Sequence, residues 1–408
     1  MAWFRTLALF LFTVTPYVTA LPLKTTRQGS VLDVDGLADE DWYIVTLHKN
    51  ISPSAFAIHL AKINDTYHHN SLNDEQNRPS GVGKTFAIGD YRGYSGVFDK
   101  DTIALLWKDA DVAEIERDEF CTIQGKLVTQ RHAPWGLAAL SSKKPGGKSY
   151  RYDKSAGNGT FAYVVDSGVF TKHDEFGGRA SVRYSVDPSD LSDVEGHGTH
   201  VAGIIAGKTF GVAKQAEIIG VKVLPDGVGI ISDVLDGFQW AVQDIVLKGR
   251  QNRSVINLSI ASPFSIAFNR AVDAAFEMGI LSVVAAGNAG MEARKMSPVS
   301  AAEALAVGAI NSEWTQTIFS NFGPEVNIQA PGYHIESAYI GTENATNTMS
   351  GTSMSAPHVA GLALYLAALE NTKNAKELRD RILELGVQGK AKELTSDTPN
   401  LVAHNGAR

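Results

Sequence analysis

The stretch SGTSMSAPHVAGLALYLAALE, residues 350–370, changes from a polar turn into an unbroken apolar helix. From Val359 to Leu369 every side chain is apolar or small, so this helix has no polar face and should be buried on all sides. Pro357 is expected in its first turn, where a missing N–H removes no intrahelical bond. Ser353 would then be the N-cap, although the N-terminus of a buried helix also suits a reactive hydroxyl.

Upstream of this helix, apolar runs alternate with amphipathic stretches. Four nearly continuous apolar runs predict parallel strands that are covered on both faces: FAYVVD (161–166), IIGVKVL (218–224), SVINLS (254–259) and ILSVVAA (280–286). Helices are predicted between them at 231–246 and 265–279. We therefore predict an α/β fold, a doubly wound and mostly parallel sheet whose sites form beyond the carboxyl ends of its strands.

Residues 42–119 predict a separate, small α+β unit. Strands are expected at 42–47, 84–88, 94–99 and 112–119, and helices at 52–64 and 101–110. The order β-α-β-β-α-β is that of a ferredoxin-like fold. Two sets of apolar side chains should face its core: Phe56, Leu60 and Ile63 on the first helix, and Ile103, Leu106 and Trp107 on the second. The following segments 121–137 and 141–154 have no clear periodicity and are expected to be a linker and a solvated loop.

The N-terminal stretch MAWFRTLALFLFTVTPYVTALP has the pattern of a secretory signal peptide. It carries Arg5, an apolar run from Leu7 to Val14 and small residues up to Ala20, and the run is too short to cross a membrane. We expect cleavage after Ala20 and secretion of the remainder. Five glycosylation sequons agree with that route: Asn50, Asn64, Asn158, Asn252 and Asn344. Asn257 also heads a sequon, but it lies in a strand-like run where a glycan would not fit.

Composition excludes several classes of partner. A net charge of −7 and a pI near 5.9 give no general attraction to nucleic acids or anionic membranes. Cys121 is the single cysteine, so an internal disulfide is impossible and the fold must be held by its core or by ions.

Four polar residues recur at strand ends and helix starts: Asp166, His197, Asn288 and Ser353. Each alone has an ordinary explanation as a turn, capping or core residue. Together they supply a nucleophile, a base, a carboxylate that orients the base, and an amide donor for an oxyanion. His197 and His200 could instead bind a metal, but the chain has no H-E-x-x-H motif and no cysteine partner, which disfavours catalytic zinc.

These residues stand in motifs that resemble the subtilisin-like serine proteases, most closely the secreted fungal group typified by proteinase K. The motifs are YVVDSGV (163–169), GHGTHVAG (196–203), VVAAGN (283–288), SGTSMSAPHVAG (350–361) and APWGL (133–137). The resemblance implies that Asp166 orients His197, that Ser353 attacks the substrate, and that Asn288 and the Ser353 N–H hold the oxyanion. It further implies substrate binding by Gly229, Ser259, Ile260, Ala261 and Gly287.

The resemblance also implies a domain organisation and a biological role. Residues 1–20 would be the signal peptide, 21–125 an inhibitory propeptide that assists folding, and 126–408 the catalytic domain, with self-cleavage near Gly125. The product would be a secreted, monomeric endopeptidase of broad specificity that acts on extracellular polypeptides, a role compatible with virulence. Its activity should fall as His197 protonates, at about pH 6–7 for an unperturbed pKa. No cofactor would be required for the chemistry.

Three departures from that family qualify the implications. The usual Ser-Leu-Gly-Gly of the substrate-binding strand is Ser259-Ile260-Ala261-Ser262 here, and the added side chains would either narrow the cleft or redirect its substrate preference. Ser355 replaces an alanine, and Asn327 replaces an aspartate that binds calcium, so structural calcium stays open and no metal ligands are assigned. Two other functions remain as alternatives: an inactive binding protein on the same fold, which would usually lack a triad residue, and a secreted esterase.

Overall fold

The chain divides into two compact units, Met1–Ile123 and Gln124–Arg408. In this computed structural model, residues 40–70, 81–118, 127–395 and 397–407 are described. The expected signal peptide, Cys121 and the expected cleavage point at Gly125 lie outside those residues. No helix among the described residues is both long and apolar enough to cross a membrane.

The first unit is a four-stranded antiparallel sheet with two helices. Its elements are β1 (Glu40–Leu47), α1 (Pro53–Asn70), β2 (Gly81–Ile88), β3 (Tyr91–Asp99), α2 (Lys100–Leu106) and β4 (Val112–Arg117). The strand order β2-β3-β1-β4, with all neighbours antiparallel, confirms the ferredoxin-like prediction. β4, the last strand of this unit, lies at one edge of the sheet.

The core of this unit follows the predicted helix faces with one exception. Phe56, Ile63, Ile103 and Leu106 are buried. Trp107, expected to point inward, is 39% exposed at the C-cap of α2, which ends at Leu106 rather than at Ala110 as predicted.

The second unit carries a large sheet flanked by helices. Its strands are β5 (Leu127–Arg131), β6 (Ser149–Asp153), β7 (Phe161–Asp166), β8 (Ala180–Ser185), β9 (Glu217–Lys222), β10 (Ser254–Leu258), β11 (Ser262–Pro263), β12 (Leu281–Ala285), β13 (Met296–Ser297), β14 (Leu305–Ile310), β15 (Ile328–Pro331), β16 (Ile335–Ala338), β17 (Thr346–Met349), β18 (Val387–Gln388) and β19 (Leu401–Val402). Its helices are α3 (Trp135–Leu140), α4 (His197–Ala206), α5 (Ile231–Leu247), α6 (Ile266–Glu277), α7 (Thr352–Glu370) and α8 (Ala375–Leu385).

Nine of these strands form one sheet in the order β18-β19-β15-β14-β12-β10-β7-β9-β8. Every neighbouring pair is parallel except the antiparallel edge pair β18–β19. One apolar core joins α4 and α7 to one side of the sheet, and a second joins α5 and α6 to the other side. The predicted doubly wound, mostly parallel sheet is therefore confirmed.

Helix α7 is the buried helix that residues 350–370 predicted. From Met354 to Ala367 all of its residues are buried. Two local predictions were wrong, because the helix already begins at Thr352 with Gly351 as N-cap. Ser353 is the second helical residue rather than the cap, and Pro357 is the sixth residue, beyond the first turn.

The segments expected to be irregular contain regular structure. Within 121–137 and 141–154, β5 and β6 form an antiparallel hairpin, and α3 starts at Trp135. Tyr150 on β6 is fully buried. β5 and β6 mix buried and exposed residues, so they lack the continuous apolar run that marks the central strands.

Candidate active site

Asp166 and His197 meet where a strand ends and a helix starts. Asp166 is the last residue of β7 and His197 the first of α4. His197 Nδ1 donates a hydrogen bond to Asp166 Oδ1 over 2.8 Å, and Asp166 is completely buried. With its proton on Nδ1, the imidazole keeps Nε2 as a proton acceptor.

A glycine lets these two elements approach closely. A Cβ atom at Gly198 would collide with the carbonyl oxygen of Gly168 and lie 3.2 Å from Asp166 Cβ. The N–H of Gly198 donates to Ser167 Oγ at 3.0 Å, directly beside Asp166. The first turn of α4 is thereby fixed against the end of β7.

Asp193 holds the start of α4 from the other side. Its buried carboxylate accepts hydrogen bonds from Ser167 Oγ and the N–H of Gly196, both at 2.9 Å. It also accepts the N–H of Thr199 at 2.9 Å and the Thr199 hydroxyl at 2.5 Å. Because Gly196 has no side chain with which to cap α4, Asp193 acts as its cap.

The surroundings of His197 raise its pKa above the ordinary value of 6.5. Burial alone would lower this pKa, since it disfavours the charged imidazolium. The charge and hydrogen bond of Asp166 outweigh burial, and the charges of Asp193 and Glu195 add to them. The imidazole is thus a stronger base than an isolated histidine.

Asn288 lies against the first turn of α7. Its Oδ1 accepts the N–H of Thr352 at 2.8 Å and the Thr352 hydroxyl at 2.9 Å. Since both donors engage Oδ1, the amide NH₂ of Asn288 remains available as a donor next to Ser353. The Thr352 hydroxyl also accepts the N–H of Gly287 at 3.0 Å.

The turn that carries Asn288 requires both a glycine and a buried asparagine. Gly287 has φ +99°, and a Cβ atom there would collide with Asn321 Nδ2. Asn321 donates to the Ala286 carbonyl at 2.9 Å and accepts the N–H groups of Ala289 and Met291, each at 3.1 Å. Asn321 therefore fixes the loop on both sides of Asn288.

Ser353 is hydrogen-bonded to the end of β10. Its hydroxyl donates to the Ser259 carbonyl at 3.2 Å, while Ser259 Oγ donates to the Ser353 carbonyl at 2.9 Å. Among the described residues, the hydroxyl of Ser353 thus bonds to Ser259 rather than to His197. Catalytic hydrogen bonds are often long or misaligned without substrate, so this arrangement is compatible with transfer to His197 on binding.

The expected substrate-binding residues follow neighbouring strands of the sheet. Strands β12, β10, β7 and β9 are adjacent and parallel, so their carboxyl ends lie along one edge. Gly287 follows β12, Ser259, Ile260 and Ala261 follow β10, and Gly229 lies in the exposed loop after β9. Asp166 ends β7 on the same edge. A Cβ atom on Gly287 would lie 3.9 Å from the Cβ atom of Ala261, so Ala261 faces Gly287.

Five site-supporting residues escaped the sequence reasoning: Ser167, Asp193, Thr199, Asn321 and Thr352. Four of them lie within four residues of a candidate catalytic residue, and that proximity was an available signal. Asn321 had no such signal, because the turn it holds is more than thirty residues away in the chain.

The sequons differ in exposure. The side chains of Asn50, Asn64, Asn158, Asn252 and Asn344 are exposed. Asn257 is fully buried in β10 and donates to Ser259 Oγ at 2.9 Å, which agrees with its rejection as a glycan site.

Asn327 would be a weaker ligand than an aspartate at the calcium site that the fold family implies. Its Oδ1 is neutral and already accepts the N–H of Ala306 at 2.7 Å, which leaves one lone pair on that oxygen. The remaining amide NH₂ is a donor and cannot bind a cation. Within the described ranges, one cluster of three metal-type ligands exists, His59, Asp109 and Asp111, and it lies in the first unit, with Lys62 at 2.9 Å from Asp109.

Both units of the chain resemble known protein families. Residues 157–394 match the model of the subtilase family, which covers more than half of the chain. The chain belongs to the subtilase family. Residues 42–124 of this subtilase match the model of the peptidase inhibitor I9 family, which corresponds to the ferredoxin-like unit.

Full-length relatives and a solved structure agree with that assignment. The subtilase is 46% identical to alkaline protease 1 of Emericella nidulans over 90% of this chain and 91% of the relative. It is 42% identical to subtilisin-like proteinase Mp1 of Magnaporthiopsis poae, over 100% of this chain and 99% of the relative. The structure of a cold-adapted subtilisin-like serine proteinase matches with a TM-score of 0.64 and 36% identity, covering 68% of this chain and all of that one. The chain is thus a serine endopeptidase with an inhibitor domain, made as a zymogen.

Proposed function

We propose that this subtilase is a secreted endopeptidase of broad specificity that releases itself from its own propeptide. The observation that carries the proposal is the 2.8 Å bond between His197 and Asp166, formed at the sheet edge that also holds Asn288 and the turn of Ser353. An oriented imidazole, an amide donor and a hydroxyl are the groups that acyl transfer requires.

The proposed reaction uses groups of the chain itself in each step. Ser353 Oγ attacks the carbonyl carbon of the scissile bond while its proton moves to His197 Nε2. The amide of Asn288 and the N–H of Ser353 stabilise the oxyanion that forms. The C–N bond then breaks, and His197 returns the proton to the leaving amine. Water, deprotonated by His197, hydrolyses the resulting ester, and Asp166 stabilises the imidazolium in both halves of the reaction.

The pH range of activity follows from the pKa of His197, the proposed general base. Because the surroundings of His197 raise its pKa, the neutral form predominates only at a pH above the ordinary value for histidine. Related chains bear the name alkaline protease, and we propose the same preference here.

For the zymogen we propose three segments: a signal peptide at residues 1–20, an intramolecular inhibitor at 21–125 and a monomeric protease at 126–408. The inhibitor-family match at 42–124 supports the middle segment, since a domain of that kind in the same chain can occupy the cleft before release. Cleavage near Gly125 would remove Cys121, so the mature enzyme would contain no cysteine.

A substrate would lie in extended form along the sheet edge, between the loop after β9 and the segment after β10. Gly229 and Ala261 are exposed on either side, and Val228 and Ile230 add exposed apolar surface. Apolar contacts combined with backbone hydrogen bonds accept many sequences, which supports broad specificity.

The decisive experiment compares the full-length chain with Ser353→Ala and with Ser355→Ala as a matched control. Ser355 lies in the same turn, but its hydroxyl donates to the Ala330 carbonyl at 3.1 Å. We expect Ser353→Ala to stay unprocessed and to leave casein intact, whereas Ser355→Ala should mature. Mass and N-terminal sequence of the secreted product give the result. Unaided maturation of Ser353→Ala would contradict self-processing, and casein cleavage by it would contradict the nucleophile.

A further inference from the structure

Helix α7 contains a proline that leaves the carbonyl of Ser353 without its helical donor. In an α-helix the carbonyl of residue i accepts the N–H of residue i+4. For Ser353 that residue is Pro357, which has no N–H, yet α7 continues without interruption to Glu370. The nucleophile's own carbonyl therefore needs a donor from outside the helix.

The side chain of Ser259 supplies that donor. Its Oγ donates to the Ser353 carbonyl at 2.9 Å, and Ser259 is 5% exposed, so water does not readily replace it. Ser259 follows directly after β10, one of the central strands of the sheet. The first turn of α7 is thus tied to a rigid element rather than to a loop.

Asn257 determines the direction of this hydrogen bond. Its amide Nδ2 donates to Ser259 Oγ at 2.9 Å, and Asn257 is completely buried. A hydroxyl has one hydrogen to donate. Since Asn257 occupies the oxygen as a donor, the hydroxyl hydrogen of Ser259 is directed to Ser353.

The loss of this bond would act on the nucleophile itself. Without Ser259 Oγ, the Ser353 carbonyl would have neither a helical nor a side-chain donor, and an unsatisfied carbonyl costs more than the bond alone. The turn would rotate to find another donor. That rotation would move Ser353 Oγ and the Ser353 N–H together, and small displacements of reacting groups have large effects on rate.

We propose that the Ser259 hydroxyl is a positioning residue for Ser353, required because Pro357 removes the helical donor to the Ser353 carbonyl. This inference rests on the proposed role of Ser353 as nucleophile. Two polar groups of Ser259 then contact Ser353: its backbone carbonyl accepts the Ser353 hydroxyl, and its side chain donates to the Ser353 carbonyl.

The test is a double-mutant cycle in the full-length, self-processed enzyme. Ser259→Ala should lower kcat about tenfold with little change in KM, because the defect lies in the nucleophile rather than in binding. Pro357→Ala restores an N–H that can donate to the Ser353 carbonyl. In the Pro357→Ala background, Ser259→Ala should therefore cost less than about threefold in kcat. Rates are measured per active site, titrated by the burst from a nitrophenyl ester, so that misfolded molecules do not contribute.

Two controls separate positioning from general structural damage. Ser259→Thr keeps a hydroxyl and should recover most of the lost kcat. Ser355→Ala removes a buried hydroxyl from the same turn that bonds elsewhere, and its effect should be equal in the wild-type and Pro357→Ala backgrounds.

Equal costs of Ser259→Ala in both backgrounds, or an effect on KM alone, would overturn the proposal. Ser353→Ala, measured in parallel, tests the underlying function. If Ser353→Ala is inactive and the cycle shows no coupling, the positioning role alone fails. If Ser353→Ala retains activity, the nucleophile assignment fails as well.

Discussion

At the scale of single residues, Asn288 uses the two ends of its amide for different tasks. Its oxygen caps α7 through Thr352, and its NH₂ group remains beside Ser353. The cap fixes the orientation of the amide, so the same contact that stabilises the helix would also preorganise the proposed oxyanion site.

Substitutions at Asn288 can separate these tasks. Asn288→Asp keeps acceptor oxygens for Thr352 but replaces the donor with a negative charge, whereas Asn288→Ala removes both. Loss of the corresponding donor in a subtilisin costs about 10²–10³-fold in kcat, and we expect a loss of that size for both variants with KM little changed. Thermal unfolding should show Asn288→Asp to be the more stable of the two. A kcat near wild type for either variant would contradict the role of Asn288.

Ala261 replaces a glycine at the wall of the cleft. Its methyl group faces Gly287, so the segments after β10 and β12 are separated by little more than a methyl group. Within an otherwise broad specificity, we expect this arrangement to favour small side chains at the substrate residue before the cleaved bond.

Ala261→Gly should widen this space. We expect kcat/KM for a phenylalanine substrate to rise about tenfold relative to an alanine substrate, since a methyl-sized change in an apolar pocket is worth about 1–3 kcal/mol. Ser262→Gly is the matched control, because its side chain bonds to Pro263 and lies on the β11–β13 pair. Matched peptide substrates give the measurement. An unchanged preference in Ala261→Gly would show that another residue limits the pocket.

The candidate catalytic residues could be recognised in the sequence, but the residues that hydrogen-bond to them and hold them in place could not. Asp166, His197, Asn288 and Ser353 were recognised because glycines and strand ends surround them. The role of Asn321 was not readable, since it acts through a contact between loops that no local pattern encodes. The position of Ser353 in its helix was also misjudged, because Gly351 and the side chain of Asn288 cap α7 instead.

At the scale of elements, hydrogen bonds to Asp193 fix the N-terminus of α4. Four hydrogen bonds join this carboxylate to Ser167, Gly196 and Thr199, and its charge contributes to the raised pKa of His197. Geometry and basicity of His197 thus depend on one buried side chain.

Asp193→Asn and Glu195→Gln test this coupling as a pair. Both remove a negative charge near His197, so both should lower its pKa and move the acid limb of kcat/KM to lower pH. The exposed charge of Glu195 is screened, so its shift should be the smaller one. Only Asp193→Asn should also lower the plateau of kcat/KM, since only Asp193 fixes the helix. A wild-type acid limb below the ordinary pKa of histidine would contradict the raised pKa.

The fully buried central strands and the long amphipathic helices were predicted within a few residues, and the partly exposed strands β5 and β6 were not. Strand β7 coincides with the predicted run, and α5 exceeds its prediction by one residue. Burial on both faces produces such unmistakable apolar runs. The antiparallel pair β5–β6 was assigned to a linker and a loop, because its pairing is non-local and its strands are only partly buried.

At the scale of the whole molecule, two buried histidines should make the larger unit sensitive to acid. His200 on α4 and His358 on α7 are almost completely buried, and burial lowers the pKa of each to about 4. His200 Nε2 donates to the carbonyls of Ile335 and Asn347, contacts that link α4 to β16 and β17.

These depressed pKa values predict a loss of stability in acid. In the unfolded chain a histidine takes up a proton near its ordinary pKa of 6.5, whereas the folded protein resists protonation until about pH 4. The free energy of unfolding should therefore fall from about pH 6.5 to about pH 4, by on the order of 3 kcal/mol for each histidine. Calorimetry on Ser353→Ala, which cannot digest itself, gives the measurement.

A matched variant identifies the source of that loss. His358→Gln should reduce the slope of stability against pH by about half, because the proton uptake of one of the two residues is removed. An unchanged slope in His358→Gln would assign the acid sensitivity to other groups.

The burial of Asn257 has a consequence for biosynthesis. An oligosaccharide on this side chain would stand in the middle of the nine-stranded sheet and would break its bond to Ser259. A nascent chain that reached the glycosylation machinery with β10 still open could be modified there and would then be unable to close the sheet. Every native molecule must carry an unmodified Asn257. Mass spectrometry of the peptide that contains Asn257 therefore reports whether β10 is enclosed in the sheet before the glycan is transferred.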